Sequence, residues 1–149
     1  MPRFRIAKLF DVCDPVEGPR FSSDHPRRDD PEERQRILEF LNDGPVVIRA
    51  AGRTEDRYDP SKGAAVPIVT QTDGEWIWNA GHAYYLANYG LALEPDFHNH
   101  IRNKGHRVEE PSRERVVEAL RFLQAEQARQ GGRQARLTPV VWGSLRGVA

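Results

Sequence analysis

The chain has 149 residues, about the size of one folded domain, and holds 22 basic and 22 acidic residues. Hydrophobic residues make up 38% of it and charged residues 30%, a balance typical of globular proteins and not of membrane or disordered chains. Because the net charge is zero, no overall field draws the molecule onto DNA or acidic lipid. A single cysteine, Cys13, excludes an internal disulfide and a multi-cysteine zinc site.

Neither a signal peptide nor a membrane span is indicated. Within the first fifteen residues, acidic residues and proline occur too early for the uninterrupted apolar core of a signal peptide. No apolar run approaches the roughly 20 residues that a transmembrane helix needs. We therefore expect a soluble cytoplasmic protein without a membrane partner, in which Cys13 is a half-buried small hydrophobe.

The charges divide the chain into a body and a tail. Residues 1–128 hold 18 basic and 22 acidic residues, whereas residues 129–149 hold four arginines and no acidic residue. This pattern predicts one domain over residues 1–128 and a basic, partly ordered tail over 129–149. The apolar cluster at residues 140–142 either adds a strand or stays loose.

In chain order, Arg3–Phe10 predicts a first strand, and prolines and glycine then predict a long loop over Asp11–Arg28. Such a loop either binds something or wraps over the core in an ordered way, and we favour the wrap. Asp30 and Pro31 predict the start of a helix that runs to about Asn42. The β-branched run in Pro45–Ala51 predicts a buried strand. A polar loop over Gly52–Gly63 follows.

The firmest local prediction is a β-hairpin at residues 66–78. Asp73 and Gly74 suit a two-residue type I′ turn between the strands 65–72 and 75–78. That turn would place Gln71 opposite Trp76, Val69 opposite Trp78 and Thr70 opposite Ile77. We expect the two tryptophans to share one sheet face and to be buried under a helix.

Three further helices are predicted after the hairpin. They run over Ala80–Tyr89, from Pro95 to about Lys104, and from a Ser112 cap to about Ala128. Glycines 131 and 132 are expected to end the last of them. The predicted fold is therefore a single α+β domain with a mostly antiparallel sheet. We expect the three helices that follow the hairpin to pack together on one face of the sheet.

Four of the five histidines fall within 25 residues, which raises the question of a metal or catalytic site. His98 and His100 are two apart and would point away from each other on a helix, where metal ligands need a spacing of three or four. No spaced acidic partner completes a site, so we expect no metal and no cofactor. A general base made of His82 or His98 with Asp73, Glu75 or Asp96 is the enzyme alternative. These carboxylates are candidates by residue type alone.

Other chemistries have less support. No glycine-rich phosphate loop or nucleophile elbow is present in the sequence. The arginine-rich tail with Trp142 is the basis of a third alternative, a nucleic-acid accessory protein, which the net charge of −4 on residues 1–128 opposes. We therefore disfavour a nucleic-acid partner and expect no small-molecule ligand.

The residue classes fit protein recognition better, because tryptophan, tyrosine and arginine supply most interface hot spots. Residues 66–107, VPIVTQTDGEWIWNAGHAYYLANYGLALEPDFHNHIRNKGHR, contain a Thr-Asp-Gly hairpin, a Trp-x-Trp strand, a helix with adjacent tyrosines and a helix that ends near His-Ile-Arg. This order resembles small actinomycete proteins of unknown function that look like the immunity proteins encoded beside polymorphic toxins. The resemblance covers residues 45–125 and specifies no site.

The function we predict is a non-catalytic cytosolic protein-binding module, an inhibitor or immunity protein that blocks a partner toxin or enzyme. The predicted contacts are loop carboxylates that face a basic partner surface, with tyrosines and arginines as anchors. They are Glu55, Asp56, Asp59, Tyr85 and Tyr89, together with Asp11, Asp14 and Glu17 in the first loop.

Overall fold

The structure is a computed structural model that describes residues 3–134, with side chains described for residues 3–130. It is a single α+β domain, as predicted. The elements are β1 (Arg5–Ile6), β2 (Val12–Asp14), β3 (Gly18–Arg20), α1 (Pro31–Asp43), β4 (Val46–Glu55), β5 (Ala64–Thr72), β6 (Trp76–Asn79), α2 (Ala80–Tyr89), α3 (Pro95–Asn103) and α4 (Arg113–Gln134). One sheet has the order β1-β6-β5-β4, with β1 parallel to β6 and the other pairs antiparallel. Strands β2 and β3 form a separate hairpin.

Helices cover both faces of the four-stranded sheet. Trp76 and Trp78 of β6 point to one face, where they pack in a core with residues of α1, α2 and α3. Ile77 points to the other face and packs against Ala119 and Leu123 of α4. The expectation that α4 joins the other helices on one face is therefore wrong, because a central strand with large apolar side chains on both faces needs a layer on each. No helix of the described residues is long and apolar enough to cross a membrane.

The β5–β6 hairpin is confirmed, but its turn is wider than predicted. Strand β5 ends at Thr72 and β6 begins at Trp76, so three residues, 73–75, lie between the strands, and Thr72 pairs with Ile77. The Oδ1 atom of Asp73 accepts hydrogen bonds from the backbone N–H groups of Glu75 and Trp76, at 2.9 and 2.8 Å. These bonds between side chain and backbone stabilise the wider loop in preference to a two-residue type I′ turn at Asp73 and Gly74.

The wider turn changes the strand register. Gln71 lies opposite Trp78 rather than Trp76, and the predicted pairs of Val69 with Trp78 and of Thr70 with Ile77 do not form. A shift of two residues keeps every side chain on its predicted face, because side chains alternate with a period of two along a strand. Both tryptophans are therefore buried on one face, as predicted.

Strand β4 lies at the edge of the sheet and is not the buried strand that its apolar sequence predicts. None of its ten residues is buried. Its register against β5 shifts between Arg49 and Arg53, where Gly52 has a φ of 84°. A bulged edge that carries arginines resists pairing with a strand from another molecule.

The amino-terminal segment differs from its prediction in length and exposure. The first strand is two residues long, and the chain leaves the sheet after Ile6. The predicted loop over Asp11–Arg28 contains the β2–β3 hairpin and buries Phe21 in the core, so it is an ordered wrap. Cys13 is exposed, which corrects the expectation of a half-buried side chain.

Helices α1, α2 and α3 begin where predicted, and α2 also ends there, with Gly90 in the left-handed conformation. Helix α4 continues to Gln134, past the glycines that were expected to end it. Glycine costs only about 1 kcal/mol in a helix, so two glycines do not oblige it to stop. The predicted basic tail lies outside the described residues from position 135 onward, as does the cluster at 140–142.

Gly44 lies between the end of α1 and the start of β4, and close packing against Trp78 requires a glycine there. A Cβ atom at this position would lie 2.5 Å from Cζ2 of Trp78, a ring that is itself fully buried. We expect Gly44→Ala to lower the free energy of unfolding by about 1–3 kcal/mol, because the indole has no space into which to move. Urea unfolding measures this loss. Asn42→Ala, an exposed change two residues earlier, should stay within about 0.5 kcal/mol of wild type, and an equal loss in both variants would contradict the packing argument.

Candidate functional site

The predicted contact Asp56 is the centre of a buried hydrogen-bond network. It is 0% exposed. Its Oδ1 accepts from the backbone N–H groups of Tyr58 and Asp59, both at 2.8 Å, and its Oδ2 accepts from the hydroxyls of Tyr84 and Tyr89 at 2.7 and 2.5 Å. Burial by itself would raise the pKa of Asp56, but these hydrogen bonds outweigh it and lower the pKa. The carboxylate therefore has no free face for a partner.

The other predicted contacts separate into buried and accessible groups. Tyr85 is buried, which raises the pKa of its hydroxyl to about 12, and the hydroxyl accepts a hydrogen bond from the backbone N–H of Arg57. Tyr89 is half-buried, and burial together with its bond to Asp56 raises its pKa. Glu55 is exposed and, with Tyr85, lines a hollow of about 210 Å³. Partner contact through Glu55 and Asp59 remains a prediction.

A larger cleft of about 550 Å³ lies on another part of the surface, and we call it the basic cleft. Its walls come from residues 8–11, from the end of the first long loop at residues 25–28, and from residues 92–102 around the start of α3. Its volume is in the range of ligand-binding clefts in general. Its charged and histidine side chains are Lys8, Asp11, His25, Arg28, Glu94, His98 and Arg102.

Both carboxylates of the basic cleft are already bound by neighbours. Asp11 accepts from the backbone N–H and the hydroxyl of Ser22 and lies 3.0 Å from Nδ1 of His25. Burial opposes the effect, but these bonds lower the pKa of Asp11 to about 2. Glu94 accepts from the backbone N–H of Lys8 at 2.7 Å. Neither carboxylate neutralises a lysine or arginine side chain of the cleft.

The three cations of the basic cleft, in contrast, have no carboxylate partner among residues 3–130. Lys8 and Arg102 are exposed, and their side chains form no hydrogen bond or ion pair within that range. Arg28 is half-buried and donates from Nη2 to Nδ1 of His98 at 3.0 Å. Since that acceptor is a neutral nitrogen, the charge of Arg28 is uncompensated too. The arrangement can accept an anionic group.

His98 is held in one tautomer by its two neighbours. A guanidinium only donates, so Nδ1 of His98 accepts from Arg28 and its proton is on Nε2, which donates to Glu33 at 3.2 Å. Burial and the nearby guanidinium lower the pKa of His98. Glu33 also accepts from His106 at 3.0 Å, and its hydrogen bonds with His106 and His98 lower its pKa to about 2. Because Arg28 occupies the lone pair on Nδ1 and Nε2 donates to Glu33, His98 has no free lone pair with which to accept a substrate proton.

The carboxylates that the sequence offered as partners for His82 or His98 contact other residues instead. His82, in the first turn of α2, is buried and does not line the cleft. His100 pairs with Asp73, at 2.6 Å from Nε2 to Oδ2, on the opposite side of α3 from the cleft lining. Asp96 pairs with Arg5. The basic cleft therefore gathers His98 and His25, and leaves His82 and His100 outside it.

Sequence reasoning missed the basic cleft, because its cations come from three distant segments. Lys8 follows a short strand, Arg28 ends a long loop, and Arg102 lies in the last turn of α3. No spacing rule relates such positions before the fold is known. Comparison of the chain with protein-family models, with curated proteins and with solved structures finds no match. The geometry of the site is therefore the basis for its function.

Proposed function

We propose that the protein is a non-catalytic binding protein of the inhibitor or immunity class, and that it receives an acidic element of a partner protein in the basic cleft. The observation that supports this most directly is the convergence of Lys8, Arg28 and Arg102 on one concavity whose own carboxylates are already bound by neighbouring groups. Exposed cations are usually only solvated. Three cations around one cleft, none with a carboxylate partner among residues 3–130, provide complementarity to an anion.

The proposed partner surface is opposite in charge to the one expected from the sequence. Of the predicted contacts, Asp56 and Tyr85 are buried, whereas the cations of the basic cleft are accessible. The lining also contains apolar side chains, among them Leu9, Phe10 and Leu93. An interface typically combines such an apolar centre with charges at its rim. An acidic side chain flanked by apolar residues is the partner element that fits.

The test is binding to a partner retained from the native host, with two charge-reversed variants compared in the same assay. Lys8→Glu with Arg102→Glu reverses two charges in the cleft, and Arg36→Glu with Arg49→Glu makes the same change at exposed arginines outside it. We expect the cleft variant to bind at least roughly tenfold more weakly, because like charges then face each other. The outside variant should bind as wild type does.

Equal binding by both variants would contradict the placement in the basic cleft. In the same assay, Glu55→Gln with Asp59→Asn tests the acidic contacts predicted from the sequence. If only this variant loses the partner, the interface lies on the acidic side instead. Partner identity is established by mass spectrometry, with nuclease treatment of the extract, so that nucleic acid does not bridge the two proteins.

A second candidate function is a small enzyme that acts through His98, because this histidine lines the basic cleft beside Asn99. Catalysis by His98 would require Arg28 to leave Nδ1 and expose its lone pair. Hydrolysis of ester and phosphodiester test substrates, compared between wild type and His98→Gln, measures it. Equal rates would exclude His98 as a base for those reactions.

A further inference from the structure

A histidine and two carboxylates meet where the β5–β6 loop contacts α3. One ligand atom each from Asp73, Glu75 and His100 lie within 4.8 Å of one another. Asp73 and Glu75 are separated by one residue in the loop, and His100 is 27 residues beyond Asp73. We propose that these three residues form a binding site for a divalent transition-metal cation of the Zn²⁺ type.

The loop orients Asp73 as a ligand. Its Oδ1 is held by the backbone N–H groups of Glu75 and Trp76, which leaves Oδ2 directed at Nε2 of His100. The Asp73 side chain is 3% exposed, so it differs from the solvated acidic groups common on protein surfaces. Pre-orientation of a ligating carboxylate by hydrogen bonds to its second oxygen is typical of metal centres.

His100 is positioned by aromatic rings. Its imidazole packs at 6.2 Å from the ring of Phe40 and at 5.9 Å from that of Trp76, measured between centroids. The His100 side chain is 11% exposed, and these rings hold it with Nε2 beside Oδ2 of Asp73. Burial of this kind strengthens the electrostatic attraction between a cation and its ligands.

Glu75 provides the accessible side of the site. Its side chain is 51% exposed and pairs with Lys104 at 2.8 Å. A cation can therefore enter from solvent on this side, where one coordination position is left for water. In the cation-free state Nε2 of His100 donates to Oδ2 of Asp73, so a bound cation displaces that proton, which moves to Nδ1 or leaves to solvent. Two carboxylates and one neutral imidazole then balance a charge of +2. The imidazole nitrogen favours Zn²⁺ and related transition metals over Mg²⁺ or Ca²⁺, which prefer oxygen ligands alone.

Lys104 competes with the cation for Glu75. The proposal therefore predicts that some variants lose Zn²⁺ affinity and that a variant without the Lys104 charge gains it. We expect tag-free, chelator-stripped wild type to bind one Zn²⁺ in isothermal titration calorimetry with ZnCl₂. His100→Gln and Glu75→Gln should each lower the affinity by roughly 100-fold or more, since loss of a ligand exceeds the effect of losing an outer-shell partner. Lys104→Met should raise the affinity by up to about fivefold, the contribution of a surface ion pair.

Two matched controls separate the site from adventitious binding. His106→Gln removes a histidine that pairs with Glu33 outside the cluster, and Cys13→Ser removes the exposed thiol. Both should bind Zn²⁺ as wild type does. Absorption bands of bound Co²⁺ that require His100 would support nitrogen ligation independently.

Three results would overturn the proposal. They are the absence of binding by wild type at millimolar ZnCl₂, binding that His100→Gln and Glu75→Gln both retain, and binding that Cys13→Ser abolishes. Glu75 is exposed at a turn, so its variant should fold even if substitution of His100 disturbs the packing of α3. Thermal unfolding with chelator present checks that each variant is folded.

Discussion

Replacement of Asp56 by alanine should lower the free energy of unfolding by roughly 3 to 5 kcal/mol. The substitution leaves four donors without their acceptor, namely two backbone N–H groups and the hydroxyls of Tyr84 and Tyr89. An unsatisfied buried donor costs about 1–3 kcal/mol, and water that enters the site recovers part of the total. Urea unfolding followed by circular dichroism measures the loss.

The matched control is Glu55→Gln, which changes the adjacent but exposed carboxylate and should cost less than about 0.5 kcal/mol. Asp56→Asn should lie between the two, because an amide oxygen can accept from only one of the two donor pairs. A double-mutant cycle with Tyr89→Phe should show coupling, since the hydroxyl and the carboxylate share one hydrogen bond. If Asp56→Ala unfolds like Glu55→Gln, the network does not stabilise the fold.

Acid should destabilise the protein through His82. This side chain is 1% exposed, and burial lowers its pKa from 6.5 to about 4, although its hydrogen bond with the backbone of Asn79 opposes the shift. The unfolded chain therefore binds the proton first as the pH falls. The contribution of His82 is fully present above pH 6.5 and decreases by about 3 kcal/mol as the pH falls through the folded pKa.

The variant that isolates this effect is His82→Gln. His82 forms a capping box at the start of α2, in which its ring accepts from the backbone N–H of Asn79, and glutamine is common at that helix position. Urea unfolding between about pH 7 and pH 4 should show a shallower loss of stability in the variant than in wild type. Parallel curves would contradict the prediction, as would a His82 resonance in NMR that titrates at its ordinary value.

Several elements were predictable because their signals are local. The Asp30-Pro31 start of α1, the Gly90 end of α2 and the Ser112 cap of α4 each depend on residues within one helical turn. The burial of Trp76 and Trp78 followed from alternation along one strand. These features need no knowledge of distant contacts.

Features that depend on the order of strands in the sheet or on tertiary contacts could not be predicted from the sequence. Strand β4 has an apolar sequence but lies at the sheet edge, which only the order of the strands decides. The hairpin register differs from the predicted one because the Asp73 side chain accepts hydrogen bonds from the backbone of Glu75 and Trp76. From the sequence alone, Asp56 is expected to be a solvated loop carboxylate. It is buried because two tyrosines of α2 cover it and donate hydrogen bonds to it.

By itself, the sequence determined the α+β class, the starts of the helices and the hairpin, because those depend on backbone preferences and side-chain periodicity over a few residues. The tertiary structure alone decided which charges meet. It brought Lys8, Arg28 and Arg102 to one cleft and His100 to Asp73 and Glu75, across separations of tens of residues. Electrostatic and ligand geometry depends on distances in space, and no spacing along this chain encodes them.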